Sequence, residues 1–240
     1  MHSKREEKLY LTSLSNLSER YRDMANSMKE IVELAEDEFT VEERNLFSVA
    51  YKNLIGPLRS ALRIFANVKK NEEKNGSERV AYITEYMNKI EKEIKDIVDE
   101  VIEVTQHLIT KCGTSEGKVF FLKMQGDYYR YLAESKSGQE RQEASDNSKQ
   151  QYQEALEIAK KDLEPMNSIL LGLILNYSVY YYEIVENKEM ACQLAQSAHD
   201  EALNQPQQED SGTKDSALIL QLIKDNLNLW QSDQKEEEDD

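Results

Sequence analysis

Three cations share one helical stripe. At about 100° per residue, Arg59 and Arg63 fall within roughly 40° of Lys52, in the stretch YKNLIGPLRSALR at 51–63. From Arg44 to Asn71 there is no Asp or Glu, although the 240-residue chain carries 46 acids and a net charge of -16. An even distribution would place roughly five acids in that window. A solvated helix face mixes signs to gain i,i+4 pairs, and this one has no acid of its own to do so. Either acids arrive from another element and close an internal ion-pair network, or the stripe receives an anionic ligand. Leu46, Ala50, Leu54, Ala61 and Phe65 lie opposite and form an apolar back. Pro57 removes one amide donor and should weaken or bend the helix.

A second stretch, KVFFLKMQGDYYRYLAE at 118–134, repeats Lys123, Asp127, Arg130, Tyr131 and Glu134 at helical spacing. Such a row is either a structural network or half of an oxyanion site. Two guanidinium forks from different helices match phosphate oxygens, a phenol adds a neutral donor, and Asp127 and Glu134 would hold the arginines in place. The third stretch, LLGLILNYSVYYYEI at 170–184, is apolar almost all round and predicts a helix buried on most faces, interrupted by Asn176. That amide is either satisfied within the core or clamps the backbone of another chain. The fourth, SALILQLIKDNLNLW at 216–230, sets Leu218, Leu222, Asn226 and Trp230 at steps of four, as core or as the apolar wall of a groove.

These stretches need rigid helices to carry them, and the composition provides for that. Only 8 Gly and 3 Pro are present, and the segments between breakers have helical periodicity, so the fold class is all-α. Helices are predicted over roughly 4–18, 20–36, 40–71, 77–109, 115–136, 144–163, 168–186, 188–204 and 214–232, with short connections that imply antiparallel neighbours. Thr40 with Glu43 forms a capping box that opens the third helix. A single domain over 1–233 is expected, followed by a disordered acidic tail at 234–240. No tetratricopeptide-like period is visible.

The acidic balance argues against nonspecific nucleic-acid binding. The longest apolar run, ILLGLIL, is too short to span a bilayer, and the charged start MHSKREEKLYL is unlike a secretion signal. Cys112 and Cys192 lack metal or redox spacing and read as reduced thiols. A cytoplasmic protein without cofactor or metal is expected. Nothing points to an enzyme: His2, His107 and His199 are scattered, and neither a Gly-rich phosphate loop nor a paired Glu-x-x-His pattern occurs.

Together RNLFSVAYKNLIG, KVFFLKMQGDYYRYLAE, LGLILNYSVYYYEI and DSALILQLIKDNLNLW resemble the hallmark segments of the 14-3-3 family, in order and at family spacing, from about residue 8 to 233. The resemblance implies nine antiparallel helices in a cup-shaped protomer with an amphipathic groove, and a dimer formed through the N-terminal helices. It implies a non-catalytic adaptor that binds phosphoserine or phosphothreonine segments of client proteins. The 14-3-3 proteins are themselves a standard instance of phospho-motif recognition by Arg clusters, so that step is inherited from the family. By position, the resemblance assigns the phosphate to Lys52, Arg59, Arg130 and Tyr131. Arg63 and Lys123 match further basic groove positions, and Asn176 and Asn226 the amides that hold the ligand backbone. Glu183 and Trp230 match neighbouring positions, and Leu175, Val179, Leu218, Ile219 and Leu222 the apolar wall.

For the dimer, the resemblance pairs Arg20 with Glu93 and Asp23 with Lys89 across subunits and places Leu14, Ser18 and Tyr86 at the interface, in a homodimer or a heterodimer with a related chain. The sequence also departs from its relatives. Leu58, Leu62 and Leu170 stand where relatives often carry Arg, Trp and Arg, Arg22 replaces a usual acid, and Ala61 replaces a serine whose phosphorylation loosens some dimers. A phosphorylation-independent helical scaffold or holdase-like protein is the competing reading.

Overall fold

A computed structural model describes residues 3–204 and 213–238. All regular structure among them is helical: α1 (Lys4–Leu17), α2 (Tyr21–Leu34), α3 (Val41–Lys74), α4 (Val80–Lys111), α5 (Ser115–Ser135), α6 (Gly138–Asp162), α7 (Ser168–Glu183), α8 (Lys188–Leu203) and α9 (Thr213–Glu238). The chain divides into two compact units, Met1–Gly113 with Tyr131–Gln142, and Thr114–Arg130 with Glu143–Asp240.

In the first unit α1 packs on α2, α2 on α3 and α3 on α4. Apolar residues three or four apart supply its core: Met24, Met28 and Ile31 from α2, Phe47, Tyr51 and Ile55 from α3, and Ile94, Val98 and Val101 from α4. The Thr40 hydroxyl accepts from the Glu43 amide while the Glu43 carboxylate accepts from the Thr40 amide, closing the expected capping box. Arg5 then grips the same buried Glu43 with Nε and Nη2, both at 2.6 Å, and so ties α1 to the start of α3.

Helix α3 runs unbroken through Pro57 to Lys74. It stops there because Gly76, at φ 64°, takes up the left-handed turn, letting the Ser77 amide reach the Glu72 carbonyl and the Gly76 amide reach that of Glu73.

The second unit is built around α7, which buries Leu171, Leu173, Ile174, Tyr177 and Tyr180 and is covered on several sides, as its apolar sequence requires. Helix α8 presents Ala191, Ala195, Ala198 and Ala202 as a stripe of methyl groups. Small side chains let helices approach closely, and α8 packs against both α7 and α9. Leu171, Ile223, Leu227 and Trp230 join three of these alanines in one buried cluster.

Two boundaries differ from the sequence expectation. The polar stretch after Ser135, expected as a loop to residue 147, is helix from Gly138 onward. Its Gln, Glu and Arg residues are good helix formers, Gly138 at φ 58° makes the turn, and Ala144, Ser145 and Ser148 give the helix a small buried face. Helix α9 continues to Glu238, six residues beyond the expected end at 232. The last two residues of the expected tail lie outside the described ones.

Candidate functional site

The basic stripe of α3 meets an acid after all. Glu134, near the end of α5, accepts from Arg59 Nε at 3.0 Å and Nη2 at 2.8 Å, and from Arg63 Nη2 at 3.4 Å. The Arg59 guanidinium carbon also sits 3.7 Å from the centroid of the Tyr131 ring, a cation–π contact three residues before that carboxylate on the same helix. One side chain is thus held by a bidentate acid and an aromatic face, which together set its direction. Arg63 keeps most of its side chain in water. Lys52 is exposed and, among the described residues, makes no hydrogen bond or ion pair. The first of the two alternatives posed by the sequence is therefore met in part: two arginines share one distant carboxylate, and Lys52 lies outside that network.

In the second unit a different network forms on α5. Asp127, only 6 % exposed, accepts from Lys123 Nζ at 2.8 Å on Oδ2 and from the Tyr152 hydroxyl at 2.5 Å on Oδ1. The same Oδ1 accepts from Asn176 Nδ2 at 2.8 Å and lies 3.6 Å from Arg130 Nη2. Burial by itself would push this carboxyl up, but the adjacent Lys123 and Arg130 outweigh it and hold Asp127 below its usual range. Burial and the Asp127 charge drive the Tyr152 phenol the other way, well above 10.0, so it keeps its proton and serves as a donor. Asn176 is half-buried, and among the described residues its amide oxygen has no partner. One donor of that amide is thus satisfied internally, as the first of the two readings has it.

The remaining predicted positions separate by exposure. Leu218 and Leu222 on α9 are 63 % and 44 % exposed, whereas Trp230 on the same four-residue step is 3 % exposed and stacks on Tyr182 with centroids 4.8 Å apart. The stripe leaves solvent and enters the core along its length. Leu175, Val179 and Ile219 are partly buried against the cluster that holds Trp230. Asn226 is half-buried with no hydrogen bond among the described residues, and Glu183 is exposed. The departure Leu170 is buried and Leu58 half-buried.

Of the predicted interface residues, Leu14 and Tyr86 are 43 % and 51 % exposed. Ser18, Arg20, Lys89 and Glu93 are also exposed, and Arg20 pairs with Asp23 in its own helix. Arg22, the unusual cation, turns to Glu100, which also accepts from the buried Tyr51 hydroxyl at 2.7 Å and pairs with Lys29 at 3.1 Å.

Sequence reasoning missed Tyr152 and Glu100. Tyr152 is a single aromatic in the polar run KQQYQEAL, and its partners Asp127 and Tyr177 lie 25 residues back and 25 ahead, so no local pattern marks it. No helix among the described residues is long and apolar enough to cross a membrane, and no group of three His, Cys, Asp or Glu among them could hold a metal ion.

The family described as 14-3-3 protein matches residues 11–231, a span that takes in both networks and the exposed leucines of α9. The chain is 46 % identical to the 14-3-3-like protein B of Hordeum vulgare over 97 % of its own length and 90 % of that protein's. It is 46 % identical to the 14-3-3-like protein GF14 nu of Arabidopsis thaliana, over 99 % and 91 % of the two chains. The 14-3-3 protein 6 of Solanum lycopersicum is similar at 46 % identity, over 99 % and 94 %. A chain with nine helices among its described residues and a continuous match of this extent belongs to the 14-3-3 family.

Proposed function

We propose that this chain is a phosphopeptide-binding adaptor. Family membership supports the adaptor or regulator role, and the finer reading rests on one observation: in a chain of net charge -16, Arg59 is fixed by Glu134 and Tyr131 beside an uncompensated Lys52. Lys52, Arg59, Arg130 and Tyr131 receive the phosphoryl group, which brings a charge of about -1.5 to -2 and three strong acceptor oxygens. Arg63 and Lys123 extend the cationic side. Asn176 and Asn226 hold the peptide backbone, and the exposed Leu218 and Leu222, with Leu175, Val179 and Ile219 behind them, contact its apolar side chains. Glu183 borders the same groove. The unphosphorylated hydroxyl lacks the charge these cations answer, and that difference supplies the selectivity. The protein acts without catalysis, in the cytoplasm.

The protein further acts as a dimer. Exposed Leu14, Leu17, Tyr82 and Tyr86 on α1 and α4 support this, because they give the first unit apolar surface near the charged Arg20, Lys89 and Glu93. Two sites on one dimer raise avidity for a doubly phosphorylated client roughly 10²- to 10⁴-fold where both can engage.

The test is fluorescence anisotropy with a labelled Arg-Ser-x-pSer-x-Pro peptide, its unphosphorylated twin and the Arg59→Ala variant. Binding of the phosphopeptide alone, lost in the variant, supports the reading. Equal binding of both peptides would favour a phosphorylation-independent scaffold that uses the exposed leucines.

A further inference from the structure

The cationic stripe of α3 does not end at Arg63. The helix runs unbroken to Lys74. Lys70 stands about five full turns after Lys52, and Lys74 one turn later, so both fall within roughly 40° of Lys52 around the axis. Gly56 and Ala66, the other residues in that arc between Lys52 and Lys74, are small and neutral. The acids of this helix lie at its ends, Glu42 and Glu43 in the first turn and Glu72 and Glu73 near the last. Glu73 pairs at 4.0 Å with Lys69, about 100° off the stripe, and Glu72 falls on the far side. Lys52, Lys70 and Lys74 are exposed, and among the described residues none of the three makes a hydrogen bond or ion pair. Lys70 and Lys74 are also a like-charge i,i+4 pair, which costs an isolated helix stability. The C-terminal dipole of α3 offsets this for Lys74 in its last turn and much less for Lys70, a turn earlier.

Resting on the phosphopeptide reading, we infer that Lys70 and Lys74 form a second subsite, for an acidic flank of the bound client segment. The spacing along α3 sets where the acids must stand. Lys70 and Lys74 lie about 16 and 22 Å beyond Arg59 at a rise of about 1.5 Å per residue, and an extended peptide advances about 3.3 Å per residue. The complementary Asp or Glu side chains are therefore about five to seven residues from the phosphorylated one, on the flank that runs toward the end of α3. The two subsites differ in kind. Arg59 offers a planar fork held by Glu134 and Tyr131, whereas Lys70 and Lys74 offer ammonium charges on flexible stems, which answer carboxylate charge without fixing its geometry. Being exposed, they are screened by salt over about 8 Å at physiological ionic strength.

The experiment titrates the full chain with labelled phosphopeptides by anisotropy, at about 0.05 M and about 0.3 M salt. One peptide has neutral flanks, one carries Glu five to seven residues before the phosphoserine, and one carries Glu as far after it. Each acid-flanked sequence is also run without phosphate. The variants are Lys70→Gln with Lys74→Gln, and Lys160→Gln with Lys161→Gln, which removes the same two charges from exposed positions of α6. At the lower salt the wild type is expected to bind one acid-flanked phosphopeptide roughly three- to tenfold more tightly than the neutral one, with most of that gain lost at the higher salt. The α3 pair of substitutions should abolish the preference and leave affinity for the neutral phosphopeptide unchanged, and the α6 pair should retain it. On a wild type that selects phosphate, the subsite is overturned by the absence of any preference, by its survival in the α3 variant, or by its equal loss in the α6 variant. The phosphate reading then stands. Acid-flanked peptides bound equally with and without phosphate, through Lys70 and Lys74, would sustain the subsite and overturn the phosphate reading. Equal binding that ignores those lysines, or no binding, would overturn both.

Discussion

Arg59 lies over the ring of Tyr131 while its Nη2 reaches both oxygens of Glu134, at 2.8 and 2.9 Å. Those contacts use the planarity of guanidinium as well as its charge. An ammonium at the same place would retain the charge and lose the fork and the stack. Arg59→Ala is expected to cost about 2–5 kcal/mol of phosphopeptide binding, since it removes a charged partner from a desolvated pair. Arg59→Lys should fall between that variant and the wild type. Anisotropy titrations check the order, and a lysine variant equal to wild type would show that charge alone is read.

Two glycines inside helices make opposite predictions. A Cβ on Gly126 would stand 2.7 Å from the Tyr152 ring, in a helix face packed on α6, whereas one on Gly56 meets nothing within 4 Å. Helix propensity favours Ala over Gly by about 1 kcal/mol in both places. Gly56→Ala should gain most of that, while overpacking of about 1–3 kcal/mol should make Gly126→Ala neutral to destabilising. Thermal unfolding of the two variants separates them.

Acid sensitivity follows from the two buried carboxylates. Desolvation alone would push Glu43 up, but the Arg5 hydrogen bonds reverse it and hold the carboxyl below 4.5. Asp127 is held below 3.8 in the same sense. A depressed carboxylate stabilises the fold above its ordinary range and loses that contribution as pH falls through its folded value. Stability should therefore be flat near neutrality and fall below about pH 4.5. Arg5→Ala is expected to cost about 3 kcal/mol at pH 7, at the low end for breaking a buried pair, because Arg5 keeps 24 % of its side chain exposed. Its deficit against wild type should narrow toward pH 4, as Glu43 becomes neutral. Urea denaturation at several pH values measures both trends.

The proposed dimer rests on apolar area, with surface ion pairs contributing little each. Leu14→Glu combined with Tyr86→Ala should leave a species of 27.9 kDa at micromolar concentration, where the wild type is expected to sediment at twice that. Neutralising Arg20 alone should change the state far less.

Much of this was legible in advance because helices advertise themselves locally. The capping box at Thr40, the apolar α7 and the shared stripe of Lys52, Arg59 and Arg63 all depend on spacing within a few residues. The partner of a charge is another matter. Nothing near Arg59 points to Glu134, 75 positions away; Glu134 came in only through the supposition that arginines from two helices converge and need acids to hold them. Where the expectation misjudged a boundary, at Gly138, it weighed polarity as loop, although Ala144, Ser145 and Ser148 supply the small buried face that a polar helix needs. The burial of Trp230 against Tyr182 was equally out of reach, because the four-residue step that it shares with the exposed Leu218 and Leu222 does not say which end of the stripe is covered.

The clasp between Arg5 and Glu43 also bears on ageing of the protein in extracts. Helix α1 begins at Lys4, so a protease that nicks its first turns removes the guanidinium while leaving the carboxylate buried in the first turn of α3. A trimmed molecule would retain every residue of the two binding networks and yet start its longest cation-bearing helix on an unanswered charge. Loss of a few terminal residues would then register first as a lower unfolding temperature, with ligand affinity per folded molecule intact.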